Sequence, residues 1–253
     1  MIKLSERLAA IASRVPAGAA LADIGSDHAL LPCYLAEQGI VRTAIAGEIN
    51  EGPYLAACEQ VRQHRLQARI SVRRGDGLSV LHTGEADVVV IAGMGGGTIV
   101  RILADGKEKL AYVRRLLLQP NAGEKLVREW LIAQGWLLAE ETILLDGGKI
   151  YEVIVADCHP QARRLNSALL AQTGARIGGG QAEDLVLEMG PHLLAAPPPA
   201  FFAKWEGELI KREKVMAGLK RSINPHAQRK LALMKEQTRK IREVLQCLQT
   251  VKP

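Results

Sequence analysis

Between residues 20 and 134, short β-like runs alternate with amphipathic stretches. This alternation constrains the fold of the 253-residue chain more than any other feature. The β-like runs are 20–25 (ALADIG), 42–49 (RTAIAGEI), 69–76 (RISVRRGD), 86–93 (ADVVVIAG) and 113–120 (VRRLLLQP). Helical spacing predicts helices over 28–38, 53–64, 96–105 and 124–134, with Pro32 near a first turn, where a missing N–H costs little. The fourth run is apolar from Val88 to Ala92, as a strand covered on both faces should be. Strands and helices alternating through short loops imply a parallel, doubly wound α/β sheet. An opening helix over 3–14 carries Leu4, Leu8 and Ile11 at helical spacing and is closed by Pro16.

The alternation stops at residue 135. Residues 135–157 hold two β-like runs joined by Asp146-Gly147-Gly148-Lys149, a strong hairpin turn. A parallel sheet finished by an antiparallel hairpin is not the expected layout of a dinucleotide dehydrogenase. It is the layout of class I S-adenosylmethionine methyltransferases, so a mostly parallel seven-stranded sheet is expected. Beyond Asp157 the pattern weakens, and 161–199, ending in three prolines, reads as a connecting segment. From 200 to 253 the chain is rich in Leu, Lys, Glu, Gln and Arg and predicts two long helices broken near Asn224-Pro225. The expected division is a cofactor-binding domain (1–160), a connection (161–199) and a basic, coiled-coil-like helical pair (200–253).

Charge separates these regions. Residues 200–253 hold thirteen Lys/Arg against five Asp/Glu, whereas the rest holds twenty against twenty-two. All of the net +6 therefore comes from the C-terminal fifth, which suits a polyanion, RNA or DNA first. A solvated helical face is the plainer alternative. The four cysteines (Cys33, Cys58, Cys158, Cys247) are far apart, which argues against a zinc site and a disulfide framework. The N-terminus lacks a secretory apolar region, and no apolar stretch has bilayer-spanning length. A cytoplasmic, metal-free monomer without membrane contact is the expectation.

Open α/β sheets bind ligands at the carboxyl ends of their strands. The first strand ends in Asp23, Gly25, Ser26, Asp27 and His28. Gly25 lets backbone come close to a ligand, and Asp23 can accept from the turn or from an amino group. Asp27 stands where a pyrophosphate fingerprint expects glycine, and its carboxylate would repel phosphate. S-adenosylmethionine has no phosphate and carries a sulfonium and an α-amino group, so an acidic turn suits it better. Glu48, about twenty residues on, is placed for ribose hydroxyls. Asp76, in Gly75-Asp76-Gly77, can accept the exocyclic N–H of an adenine. The fourth strand runs into Ala92-Gly93-Met94-Gly95-Gly96-Gly97, and glycines this dense imply backbone close to a reacting ligand. GMGGGT nearly matches a dinucleotide motif, with Thr98 in place of its third glycine. The fifth strand ends in Gln119-Pro120-Asn121, whose amides either face a nucleobase edge or cap the next helix.

DIGSDHALLP, AGEINEGP, GDGL, IAGMGG, LQPN and GKIYEV occur here in the order and spacing of the bacterial tRNA (adenine-22-N1)-methyltransferases. The chain resembles that family from about Leu4 to the C-terminal helices, most densely through Val155. The resemblance implies S-adenosylmethionine as cofactor and N1 of a tRNA adenine as target. It also implies that Asp23, Gly25, Ser26 and His28 line the methionine part, Glu48 and Ile49 the ribose, and Asp76 and Gly77 the adenine. Ala92, Gly93 and Met94 then lie at the cofactor and, with Gly95, border the transferred methyl and the target base. Asp27, His28, Gly93, Met94 and Asn121 are the candidate catalytic residues. Three alternatives stay open: a nucleotide-dependent oxidoreductase, a methyltransferase acting on another RNA, and a non-catalytic RNA-binding protein.

Overall fold

The computed structural model describes residues 2–178, 182–222 and 224–250; 179–181, in the expected connection, and Ile223, beside the expected helix break, lie outside them. Its elements are α1 (Glu6–Ala12), β1 (Ala19–Ile24), α2 (Leu30–Glu37), β2 (Val41–Glu48), α3 (Glu51–Gln63), β3 (Ile70–Arg74), β4 (Val88–Met94), α4 (Gly96–Asp105), β5 (Arg115–Pro120), α5 (Glu124–Ala133), β6 (Trp136–Asp146), β7 (Lys149–Cys158), α6 (Ala162–Arg176), α7 (Ala182–Met189), α8 (Pro191–Ala195), α9 (Pro199–Lys220) and α10 (Pro225–Thr250). Short 3-10 turns lie over Gly77–Val80 and Lys107–Tyr112.

The seven strands form one sheet in the order β3-β2-β1-β4-β5-β7-β6. The first five are mutually parallel, and β7 runs antiparallel to both β5 and β6. The hairpin turn falls where the sequence predicts it: Asp146 pairs with Lys149, and Gly147 and Gly148 both take positive φ, as a two-residue turn of this twist needs. Side chains alternate across the sheet into two apolar layers. Leu21, Val88, Val90, Leu117 and Val155 pack with Ile11, Leu31, Leu35 and Val61, from α1, α2 and α3. Ala22, Ile24, Val89, Ile91, Leu116 and Leu118 pack with Ile99 and Leu103 of α4 and Val127 and Leu131 of α5. The hairpin is also tied to α5 by charge. Arg128, fully buried, pairs with buried Glu141 and Glu152.

The chain divides into two compact units, Met1–Ser167 and Ala168–Pro253. Most of 161–199 is helical, as α6, α7 and α8. The sequence hides these helices because α6 turns buried polar groups inward. Asn166 bonds the Leu138 N–H and the Trp136 carbonyl, and Thr173 is likewise buried. Gly190-Pro191 then breaks the apolar run between α7 and α8. In the second unit, α9 and α10 are the two long helices expected on either side of Asn224-Pro225.

Candidate functional site

The order of the sheet reverses between β1 and β4, so their carboxyl ends define the switch point where such sheets take ligands. Asp23, near the end of β1, is only 4% exposed, and its Oδ2 accepts the Ser26 hydroxyl at 2.6 Å. Burial pushes its pKa up to about 7; the Ser26 hydroxyl and Arg7 oppose the shift, while Glu48 and Asp27 add to it. Glu48 closes β2, is also buried, and has its pKa raised chiefly by that burial. Its Oε1 accepts the Asp27 backbone N–H at 2.5 Å. Among the described residues neither acid has an ion-pair partner.

The turn itself is strained. Asp27, His28 and Ala29 are consecutive non-glycine residues at φ of 43°, 66° and 55°, in the left-handed region. The Asp27–Glu48 bond holds one end. At the other, the Cys33 N–H donates to the Ala29 carbonyl and opens α2. The cap of α2 is Ala29, without a side-chain bond, so Asp27 and His28 are left exposed with His28 Nε2 3.4 Å from Asp27 Oδ1. Gly25 sits at φ 70°, a conformation that favours glycine, and a Cβ there would come within 2.2 Å of the Met94 Cε, so a larger residue would have to displace that flexible methyl.

Beyond β4 the chemistry is neutral. The β4–β5 register slips at Gly93, whose φ is 76°. The Gly93 N–H donates to Gln119 Oε1 at 3.1 Å, and the Asn121 Nδ2 donates to the Gly93 carbonyl at 2.7 Å. The Asn121 N–H donates to the Met94 carbonyl at 2.7 Å. Asn121 thus braces the Gly93–Met94 backbone rather than capping α5, whose cap is Gly123. Ala92 and Met94 are half-buried, and Gly93 is exposed. On the other flank, Ile49 lies 54% exposed beside Glu48. Asp76 follows Gly75, whose N–H donates to the Glu48 carbonyl at 2.9 Å; it is exposed, with Arg101 Nη1 at 3.8 Å, and Gly77 opens a 3-10 turn at φ 53°.

One residue escapes the sequence motifs. Arg7 of α1 donates to Gln119 Oε1 at 2.8 Å and lies over the Tyr151 ring, 5.5 Å from its centroid. The available signal is helical spacing: Arg7 falls three after Leu4 and four before Ile11, a charge on the inward face. A cavity of about 430 Å³ lies instead at the opposite ends of the strands, lined by Arg42, Asp87, Arg115 and Asp157. Among its charges, Arg42 pairs with Asp87 and Arg115 with Asp157. Among the described residues no three His, Cys, Asp or Glu are grouped to hold a metal ion, and no helix is long and apolar enough to cross a membrane.

A sheet of this order with one reversed strand, and acids at the ends of its first two strands, defines a Rossmann-like class I methyltransferase fold. Comparison narrows the class. The family model described as tRNA (adenine(22)-N(1))-methyltransferase matches residues 21–243. The Bacillus subtilis tRNA (adenine(22)-N(1))-methyltransferase is 43% identical over 214 residues, 85% of this chain and 84% of the relative. The crystal structure of the B. subtilis M1A22 tRNA methyltransferase TrmK superposes with a TM-score of 0.85 at 38% identity, covering 96% of this chain and 99% of that one. A Streptococcus pneumoniae protein described as a candidate tRNA (m1A22) methyltransferase, solved in complex with S-adenosyl-L-methionine, gives 0.80 at 36% identity, covering 96% and 100%. The chain belongs to the tRNA (adenine(22)-N(1))-methyltransferase family.

Proposed function

We infer that this protein methylates N1 of adenine 22 in tRNA, in the cytoplasm, with S-adenosylmethionine as donor. The observation that carries the reading is the pair of buried carboxyls, Asp23 and Glu48, at the switch point of a chain in this family. They fit the cofactor: acids with raised pKa and, among the described residues, no ion-pair partner suit a ligand that brings a sulfonium and an ammonium. Asp23, Gly25, Ser26 and His28 would hold the methionine part, Glu48 and Ile49 the ribose, and Asp76 and Gly77 the adenine. When bound, the cofactor supplies an electrophilic methyl on positive sulfur.

Adenine N1 is a neutral lone pair and needs no proton removed before attack. The protein's task is therefore alignment, which can be worth about 7–11 kcal/mol. The Gly93 and Met94 carbonyls each hold one hydrogen bond from Asn121 and keep a second lone pair for the N6 amino group of the target base. Asp27 and His28, exposed side by side, orient the base or take the proton that leaves N6 after transfer. Single-turnover rates of Asp27→Ala and His28→Ala at saturating cofactor and tRNA test this role: a fall is expected, and wild-type rates in both would remove it.

The substrate's N1 edge is sheltered by pairing and stacking, so exposing it costs a few kcal/mol. Phosphate contacts offset that cost. From Lys214 to Lys235 the sequence has six Lys/Arg and no Asp/Glu. Elsewhere on the helical pair arginines are spent internally, Arg212 on Glu188, Arg239 on Glu236 and Glu243, and Arg242 on Glu213. Replacing Lys220, Arg221, Arg229, Lys230 and Lys235 by Ala should weaken tRNA binding and flatten its salt dependence. The log–log slope should fall by about 0.7–0.9 for each phosphate that the variant no longer neutralises. S-adenosylmethionine affinity, measured by calorimetry, should be unchanged. Unchanged tRNA affinity would contradict the assignment.

A further inference from the structure

We propose that Arg7, on the opening helix, is a positioning residue for methyl transfer, fixing the buried Gln119 amide and through it the Gly93–Met94 backbone that borders the target base. The proposal rests on the methyltransferase reading above. Its ground is the direction of a hydrogen-bond chain. Gln119 is fully buried, and its Oε1 accepts from both Arg7 Nη1 (2.8 Å) and the Gly93 N–H (3.1 Å). An amide with its oxygen so committed must turn Nε2 the other way, where it donates to the Pro120 carbonyl (2.9 Å) and to Asn121 Oδ1 (3.1 Å). That leaves Asn121 only Nδ2 to offer the Gly93 carbonyl (2.7 Å). Both polar groups of Gly93, held at a positive φ, are thus set by one relay with Arg7 at its head.

Arg7 is itself fixed from two sides. Its backbone N–H donates to Asp146 Oδ2 (3.1 Å) at the hairpin turn, and its guanidinium covers Tyr151 of β7. A mobile cation would not orient an amide; a guanidinium stacked on a ring and anchored at its backbone does. Without it, the buried Gln119 oxygen loses one of its two donors and the amide gains freedom to rotate, which loosens the Gly93 backbone without removing any group that touches the cofactor.

The test compares wild type, Arg7→Ala, Arg7→Lys, Gln119→Ala and the Arg7→Ala/Gln119→Ala pair at pH 8, with melting curves as the check on folding. Single-turnover methylation of unmodified tRNA at saturating cofactor should fall about 10²-fold in Arg7→Ala, the scale of a small misplacement, with the S-adenosylmethionine Kd within about threefold of wild type. Arg7→Lys, which keeps one donor and the charge, should recover part of the rate. The double variant should be no slower than Gln119→Ala beyond about twofold, because Arg7 acts through Gln119. A wild-type rate in Arg7→Ala overturns the proposal, and so do single effects that multiply. If Arg7→Ala does not fold, Arg7→Lys carries the test: about a tenfold loss is expected, and an unchanged rate overturns it. If wild type itself transfers no methyl, the methyltransferase reading falls and the proposal with it. An active wild type with an equally active Arg7→Ala sinks the proposal alone.

Discussion

The turn after β1 and the loop after β4 are neighbours in the sheet and meet where Met94 covers Gly25, yet they are built from opposite materials. The first places three non-glycine residues in the left-handed region and buries two acids beneath them. The second is nearly all glycine, bears no charge, and is held by the amides of Gln119 and Asn121. The difference follows from what each side has to recognise. A cationic cofactor is selected by charge, so that side stores unfavourable electrostatics for the ligand to relieve. A neutral base attacking in line is selected by position, so that side contributes hydrogen-bonded backbone and no titrating group.

The largest effect expected from this contrast is in Asp23→Asn. Removing a buried carboxylate from a cation should weaken S-adenosylmethionine about 10²-fold at pH 8 by calorimetry. The same change should stabilise the cofactor-free protein. A carboxyl whose value in the folded state lies above its ordinary one binds protons more tightly when folded, so it withdraws stability as pH rises from about 4 to about 7. The melting temperature of Asp23→Asn should therefore exceed that of wild type above pH 7, with the gap closing towards pH 4. A variant that both binds normally and melts like wild type would erase the electrostatic half of the comparison.

A smaller effect separates the two sides in wild type. As Asp23 ionises, cofactor affinity should rise about tenfold from pH 6 to pH 8. Single-turnover transfer at saturating cofactor should change less over the same range, because the attacking nitrogen has no proton to lose and any proton that Asp27 or His28 takes leaves N6 only after the methyl has moved. Equal pH dependence in both quantities would mean that a titrating group governs the attack itself. Smallest is Asn121→Ala, which keeps Gln119 and Arg7 in place but removes the bond to the Gly93 carbonyl. A loss of about 0.5–1.5 kcal/mol, or up to roughly tenfold in rate, is expected without change in cofactor Kd.

The sequence carried the sheet and its hairpin well, because both are written locally: the apolar run Val88 to Ala92, the acids at strand ends and Asp146-Gly147-Gly148-Lys149 need only their neighbours to be read. It carried less of the site's mechanics. The left-handed run at Asp27–Ala29 has no glycine to announce it and is held by Glu48, twenty-one residues away. Arg7 meets Gln119 across 112 residues, a contact that only the closed sheet creates. Helix α6 is hidden by Asn166 and Thr173, polar residues whose burial periodicity does not register, and α7 and α8 by the Gly190-Pro191 break between them.

The most direct test of the whole assignment is to map the product. Unmodified tRNA incubated with the protein and S-adenosylmethionine, then digested and sequenced by mass spectrometry, should carry one new methyl, on N1 of adenine 22. Absence of transfer, or a methyl on N6 or on another nucleotide, would contradict it.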